Sequence, residues 1–483
     1  MDRVVHLPDS FTTSSTHRFG LDSYPFPQKP IHKHVLVICD VYPTWKTPFL
    51  LDYDRNTLVD PVSSTRNIMM EHDTTNNMAS SLLEPSKRAS KLQTLGNIIV
   101  TVVGTGVLGL PFAFRIAGWL AGTLGVAIVG ISTYYCMLLL VICRDKLASE
   151  EPLGDTRTYG DLGYRSFGTP GRYVTEVIIV IAQCAGSVAY FVFIGQNLYS
   201  VFQDQELSMA SYIFMLVPVE TGLSWLGSLS ALAPFSIFAD VCNVIAMGIV
   251  VKVDIQRALG EGFSFGQRTM ITSNVGGLPF AVGMAVFCFE GFGMTLALEN
   301  SMQDRRKFPI LLAQTFGGIT LVYILFGFCG YMAFGEETRD IVILNLPRNW
   351  SSLAVQVGLC VGLTFTLPTM LHPINEIVEG KLKIILRSSS NSTGVGNISI
   401  YISRTIVVVG LAVIASFVPE FGVFASFVGS TLCAMLSFVL PATFHLKIFG
   451  SSLPFWQKAL DSIVLLSGLF FAVYGTYNTI VGV

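Results

Sequence analysis

Polar and apolar positions split the chain in two. Residues 1–91 are polar, with scattered Pro, Ser, Thr, Asn and His and no helical period. The apolar run 34–39 is far shorter than the roughly 20 residues that cross a bilayer, and it lies too deep for a signal peptide. From residue 92 onward, apolar runs of spanning length follow one another. They fall at roughly 92–114, 118–143, 173–202, 209–227, 229–251, 276–300, 311–334, 352–376, 403–418, 422–446 and 456–480, eleven in all. The pattern predicts a largely disordered cytosolic tail over 1–91 and an all-α transmembrane domain over 92–483. The polar stretch 154–172 predicts a short amphipathic helix between the second and third spans.

Basic residues give the orientation. With the N-terminus in the cytosol, seventeen Lys and Arg flank the spans on that side and six on the other. That excess places the N-terminus inside. An odd number of spans then puts the C-terminus on the far side, with the sequons at Asn391 and Asn397 cytosolic and that at Asn349 outside.

Two spans carry interruptions that an apolar helix would avoid. The first reads Val103-Gly104-Thr105-Gly106-Val107-Leu108-Gly109-Leu110-Pro111. Each interior glycine costs a helix about 1 kcal/mol and a proline about 3 kcal/mol. In hydrocarbon the freed backbone groups need partners, so such a break belongs against protein or a cavity. Close packing through small residues is the simpler alternative. The sixth span reads Val286-Phe287-Cys288-Phe289-Glu290-Gly291-Phe292-Gly293-Met294, interrupted near its middle. Spans 1 and 6 correspond if spans 1–5 and 6–10 are two halves of inverted topology. Broken helices in matching positions of such halves point to a secondary-transporter binding site.

The chemistry of such breaks suits a zwitterion. Half-helix N-termini present amide N–H groups to a carboxylate, and half-helix C-termini present carbonyls to an ammonium. The expected substrate contacts are Gly104, Thr105, Gly106, Val107, Gly109, Phe289, Gly291, Phe292 and Gly293, with Met294 beside them. An amino acid is the ligand that fits.

Carboxyls at mid-membrane are functional by default. Glu290 in span 6 and Asp240 in span 5 are the proton-coupling candidates. Glu290 has a structural alternative, pinning the unwound backbone. Asp240 has one too, in a polar cluster with Ser236 and Asn243 one turn away. Thr364 and Thr366 lie at mid-depth in span 8, which faces span 1 in a two-half architecture, and they could hold an ion or a water. Helix-internal Thr more often bonds its own backbone. Glu176, Glu220, Glu299, Glu376 and Glu379 lie nearer span ends, where solvated or packing roles are expected.

Composition narrows the class. The chain is 51% hydrophobic and 13% charged, against about 25% charged for soluble domains. A net charge of −2 and no long basic block give no nucleic-acid partner. Nine cysteines form no CxxC pair, and five of seven histidines lie within the first 72 residues. His372 and His445 alone are near the spans, both towards helix ends, so neither a metal nor a haem is expected. With no metal-ligand spacing, the chain does not read as an enzyme.

Gly104-Thr105-Gly106-Val107-Leu108-Gly109-Leu110-Pro111, followed by Phe112-Ala113-Phe114, resembles the first helix of the amino acid/auxin permease superfamily. Phe287-Cys288-Phe289-Glu290-Gly291-Phe292-Gly293, ending in Leu298-Glu299-Asn300, is similar to the sixth helix of its proton-coupled transporters. Ala233-Pro234-Phe235-Ser236, Gly327-Phe328-Cys329-Gly330-Tyr331 and Asn345-Leu346-Pro347 add to the match, which covers about 92–480 and is closest to the plant vacuolar branch. The resemblance implies a LeuT-type 5+5 inverted repeat plus one helix, with broken helices 1 and 6. It also implies neutral amino acids as substrates, the proton rather than sodium as coupling ion, and no cofactor. The expected location is the vacuolar membrane, with the plasma membrane or another endomembrane as alternative, and the expected direction is towards the cytosol. An amino-acid sensor on the same fold, signalling through the tail, is the competing reading of function.

Overall fold

A computed structural model describes residues 90–150, 158–202, 206–225, 233–260, 265–274, 276–389 and 393–481. The expected tail, apart from its last two residues, and the sequon at Asn391 lie outside these. Among the described residues every regular element is helical.

The first span is two helices. α1 (Lys91–Val102) opens with a capping box, in which the Ser90 side chain accepts from Gln93 N and Gln93 returns the bond to Ser90 N. A 3₁₀ turn (Thr105–Gly109) leads into α2 (Leu110–Ala117), and the two halves meet at 48°. α3 (Trp119–Glu150), α4 (Tyr159–Val201), α5 (Met209–Ser224) and α6 (Ala233–Ala258) complete the first half. The second half begins with α7 (Gly277–Cys288) and α8 (Phe292–Ser301), one span with a break at its centre. α9 (Phe308–Phe334), α10 (Trp350–Ser389) and α11 (Thr393–Ser416) follow. The tenth span joins α12 (Phe421–Val428) and α13 (Leu440–Phe449) through two π-helical segments, and α14 (Phe455–Val481) is the eleventh.

All eleven apolar runs coincide with these elements. Among the described residues, eight helical spans, or nine with the bent first pair, are long and apolar enough to cross a membrane. The other two runs are α5, apolar but only 16 residues, and α6. Several helices outrun the expected bounds because polar residues at the span ends continue the helix. α4 starts at Tyr159 because the amphipathic loop helix abuts it across Gly168, whose φ of 69° and ψ of −156° bend the chain.

Packing sorts the spans into two groups. α2 lies on α7 and α9, and α3 lies on α9 and α7, so spans 1, 2, 6 and 7 form one body. α4 packs on α10 and α5, and α11 packs on α5, α4 and α10, so spans 3, 4, 8 and 9 form another. α6 touches α10 on one side and α9 on the other. Spans 6 and 10 approach so closely that a Cβ on Gly283 would lie 2.6 Å from Ser426 O and one on Gly429 would collide with Gly283 O. Such contact is how helices pack where burial in lipid gives no hydrophobic gain.

Candidate functional site

The break in span 1 starts where α1 ends. Gly104 is exposed and extended (φ −105°, ψ −169°), and its N–H turns back to Val102 O at 3.1 Å. The first backbone bond into the 3₁₀ turn is Val107 N–H to Gly104 O at 3.4 Å. The amides of Thr105 and Gly106 therefore head the turn, and no side chain caps it. Pro111 follows in the first turn of α2, where its missing N–H leaves no gap in the ladder.

In span 6, Phe289 N–H closes α7 on Ala285 O and Val286 O, both at 3.2 Å. α8 then begins at Phe292 with Gly291 as an N-cap lacking a side-chain bond. The Glu290 carboxyl faces the amides of Phe292 and Gly291 and the thiol of Cys433 from the tenth span. Its Oε2 is buried without a hydrogen-bond partner. The acid stands at a half-helix N-terminus, where negative charge is favoured.

The two breaks lie against each other. A Cβ on Gly106 would lie 3.2 Å from the Phe287 ring and 3.3 Å from Cys288 Sγ, and one on Gly291 would lie 3.2 Å from Val102 Cγ2. Gly109 meets Met284 Sδ at 2.9 Å in the same sense. These three glycines are close-packing positions. Gly104 and Gly293 differ, since a Cβ on either would meet nothing within 4 Å. Space beside the backbone thus separates Gly104 and Gly293 from the three packed glycines.

Tyr323 of α9 ties the breaks together, and no sequence pattern singled it out. Its fully buried hydroxyl lies 3.1 Å from Val102 O and 3.2 Å from Cys288 O, the last carbonyls of α1 and α7. Its ring tilts against Phe289 at 5.0 Å. The only available signal was general: a buried Tyr hydroxyl finds a partner.

The other expected residues fall as follows. Thr105, Val107, Phe289 and Phe292 are buried at the junction, with Phe289 stacked on Phe316 at 6.1 Å. Asp240 is half-buried on α6, whose chief neighbours are α10 and α9, so the structure does not bring it to the breaks. One turn on, Asn243 is buried with Oδ1 unpartnered. Thr364 and Thr366 donate to Cys360 O at 2.8 Å and Gly362 O at 2.9 Å in their own helix. Their helix packs chiefly on α4, α6, α11 and α5 rather than on span 1. Each hydroxyl thus spends its hydrogen on the backbone and keeps its oxygen lone pairs.

The end-of-span acids also divide. Glu299 is fully buried in an ion pair with Arg144, whose Nη2 lies 2.6 Å from Oε1 and whose Nη1 meets Oε2. Glu220 is fully buried with neither oxygen partnered, so of the two expected roles it does not have the solvated one. Glu176 and Glu379 pair with Arg172 and Arg404 at 2.8 and 2.7 Å.

On the face opposite the entry of α1, Asp340 closes the structure. Its carboxylate accepts Gln196 Nε2 at 2.8 and 2.9 Å and Gly422 N–H at 3.2 Å, while Gln196 Oε1 accepts Phe421 N–H at 3.1 Å. The end of α4, the loop after α9 and the start of α12 are joined there. Burial pushes the carboxyl of the adjacent Glu420 above its ordinary value; Asp340 adds to the shift and Arg115 opposes it.

Residues 87–481 match the family described as transmembrane amino acid transporter protein. Amino acid transporter ANT1 of Arabidopsis thaliana is 64% identical over 403 residues, which cover 82% of this chain and 93% of that protein. Vacuolar amino acid transporter 3 of Schizosaccharomyces pombe is 26% identical over 404 residues, covering 80% of this chain and 59% of that one. Among solved structures, the inward-facing conformation of Mhp1 aligns with a TM-score of 0.51 at 12% identity, covering 82% of this chain and 90% of that chain. The last likeness concerns the fold alone and fits a LeuT-type arrangement.

Proposed function

The chain belongs to the transmembrane amino acid transporter family, a non-enzyme family, and we propose that it is a proton-coupled symporter of mainly neutral amino acids. It works by alternating access at the vacuolar membrane, moving its substrate towards the cytosol. The observation that carries this reading is the meeting of two broken helices, joined at Tyr323, with an acid at the second break. A carboxylate is bound by the open amides at Thr105 and Gly106. An ammonium is bound at the carbonyls that end α1 and α7; Cys288 O keeps a second lone pair beside the Tyr323 bond, whereas Val102 O also accepts Gly104 N–H. Gly104 and Gly293 leave the room that a ligand needs beside the backbone.

Recognition at the backbone reads only the two charges, so side-chain preference falls to Phe289, Phe292 and Met294, which suit uncharged substrates. Glu290 carries the coupling proton. A carboxyl at this depth is favoured neutral when unpaired and charged when a cation or amide cluster faces it, so substrate and proton occupancy are linked there. Spans 1, 2, 6 and 7 rock against spans 3, 4, 8 and 9. The vacuolar assignment is supported by the name of the fission-yeast relative. The deciding measurement is uptake of an amino-acid panel into proteoliposomes, with proton and sodium gradients imposed separately. Uptake driven by sodium alone would overturn the coupling, and uptake of no amino acid would overturn the function.

A further inference from the structure

A second buried acid sits far along the chain from the breaks. Asp461 of α14 and His445 of α13 are both fully buried, with His445 Nδ1 2.6 Å from Asp461 Oδ2. Tyr135 of α3 donates its hydroxyl to Asp461 Oδ1 at 2.5 Å. Three spans (2, 10 and 11) therefore converge on one carboxylate. With the imidazole hydrogen assigned to Nδ1, both carboxylate oxygens accept, one from Tyr135 and one from His445. His445 Nε2 is buried with no partner.

We propose that His445 and Asp461 form a proton-binding site, distinct from Glu290, on the face from which α1 enters. An isolated carboxylate out of water is costly, and the imidazole is the group in contact that can balance it. The proton adds to the Nε2 lone pair and turns imidazole into imidazolium; Asp461 supplies the counter-charge, and the pair becomes neutral overall. Release reverses the step and leaves the carboxylate held by Tyr135 and Nδ1–H. No other bond changes.

Phe449 and Lys146 lie next to the pair. Lys146 of α3 lies over the Phe449 ring at 4.3 Å and donates to Ile448 O at 3.1 Å, while the Phe449 ring lies 4.6 Å from that of His445. Lys146 also pairs with Glu150 at 3.8 Å. The elements packed here also carry Cys136 and Cys143 on α3, Tyr159 on α4, Lys447 on α13 and Lys458 on α14.

Binding of the proton is independent of the proposed symport, and only its use in coupling rests on that reading. The first test is imidazole ¹⁵N resonance of the full chain in nanodiscs, with the His445 signal identified by its loss in H445Q. We expect it to pass from imidazolium to imidazole as pH rises. In D461N the change should move to lower pH, because the imidazolium loses its counter-charge. In Y135F, which keeps the carboxylate and covers the case that D461N does not fold, it should move to higher pH. A signal that holds one form at every pH overturns the site. The second test compares proton-driven uptake with substrate exchange in proteoliposomes. H445Q and D461N should lower driven uptake about tenfold more than exchange, within the range of coupling between two sites. Equal losses would mark the pair as structural and overturn its place in coupling. Wild-type uptake indifferent to a proton gradient would instead sink the symport reading, while a titrating His445 still supports the site.

Discussion

The Tyr323 hydroxyl stands 3.2 Å from the Cys288 carbonyl, at the end of the first half of span 6, and 3.1 Å from Val102 O at the matching point of span 1. One phenol on span 7 thereby holds two half-helix C-termini in register. Without it, Cys288 O loses its partner and Val102 O keeps only the Gly104 N–H, at about 1–3 kcal/mol for the lost bond. Y323F keeps the ring and its contact with Phe289, so the packing should survive. We expect uptake to fall roughly tenfold, which is what about 1.4 kcal/mol at the site amounts to, with normal expression. Radiolabelled uptake normalised to purified protein checks this.

Much of the architecture was legible because bilayer thickness enforces it. Eleven runs matched eleven helical segments, and the breaks at Gly104 and Gly291 stood out since glycine and proline are misplaced in a spanning helix. What failed was side-chain direction. Hydropathy could not tell that Thr364 and Thr366 turn inward to their own carbonyls, or that Asp240 sits on a helix facing α10 and α9. Nor could it separate Gly106, packed on Phe287, from Gly104, which faces open space. The contacts of Tyr323 and His445 were hidden for one reason. Each is made to another helix, the one 221 residues away at Val102 and the other at Asp461 of the next span.

The Arg144–Glu299 pair ties the end of α8 to the end of α3, with Arg144 also reaching Asn300 Oδ1 at 3.1 Å and Asp145 Oδ1 at 2.7 Å. Removing one partner strands a buried charge, at roughly 3–5 kcal/mol. E299A should therefore lower the melting temperature of the purified protein sharply. R144M combined with E299L should recover most of the loss, since an apolar pair of similar volume is often neutral. A double variant as unstable as E299A alone would mean that Asn300 and Asp145, not the pair, set the stability.

Glu420 gives a pH dependence with a definite sign. Its carboxyl is raised in the folded state, chiefly by burial and then by Asp340, so the native chain holds this proton to higher pH than the unfolded one. Its contribution is thus most favourable in acid. It is lost as pH rises from the ordinary carboxylate range through the raised value. E420Q, which cannot ionise, should flatten the stability curve in that window and leave it unchanged below. Thermal melts at a series of pH values measure the difference, and a steeper curve in E420Q would contradict the assignment.

Glu290 is the sharpest test of the coupling. Its carboxyl faces the Phe292 and Gly291 amides and the Cys433 thiol, so a glutamine of the same shape can keep part of that contact while losing the titratable proton. Two roles therefore predict different outcomes. If the acid only pins the unwound backbone, E290Q should weaken binding and stability together and still accumulate substrate against a proton gradient. If it carries the coupling proton, E290Q should fold, bind, and lose gradient-driven accumulation to background. We expect the second result, because Oε2 is buried with no partner, a waste for a purely structural acid. Ligand-dependent melting and uptake under an imposed pH difference, on the same preparation, separate the two.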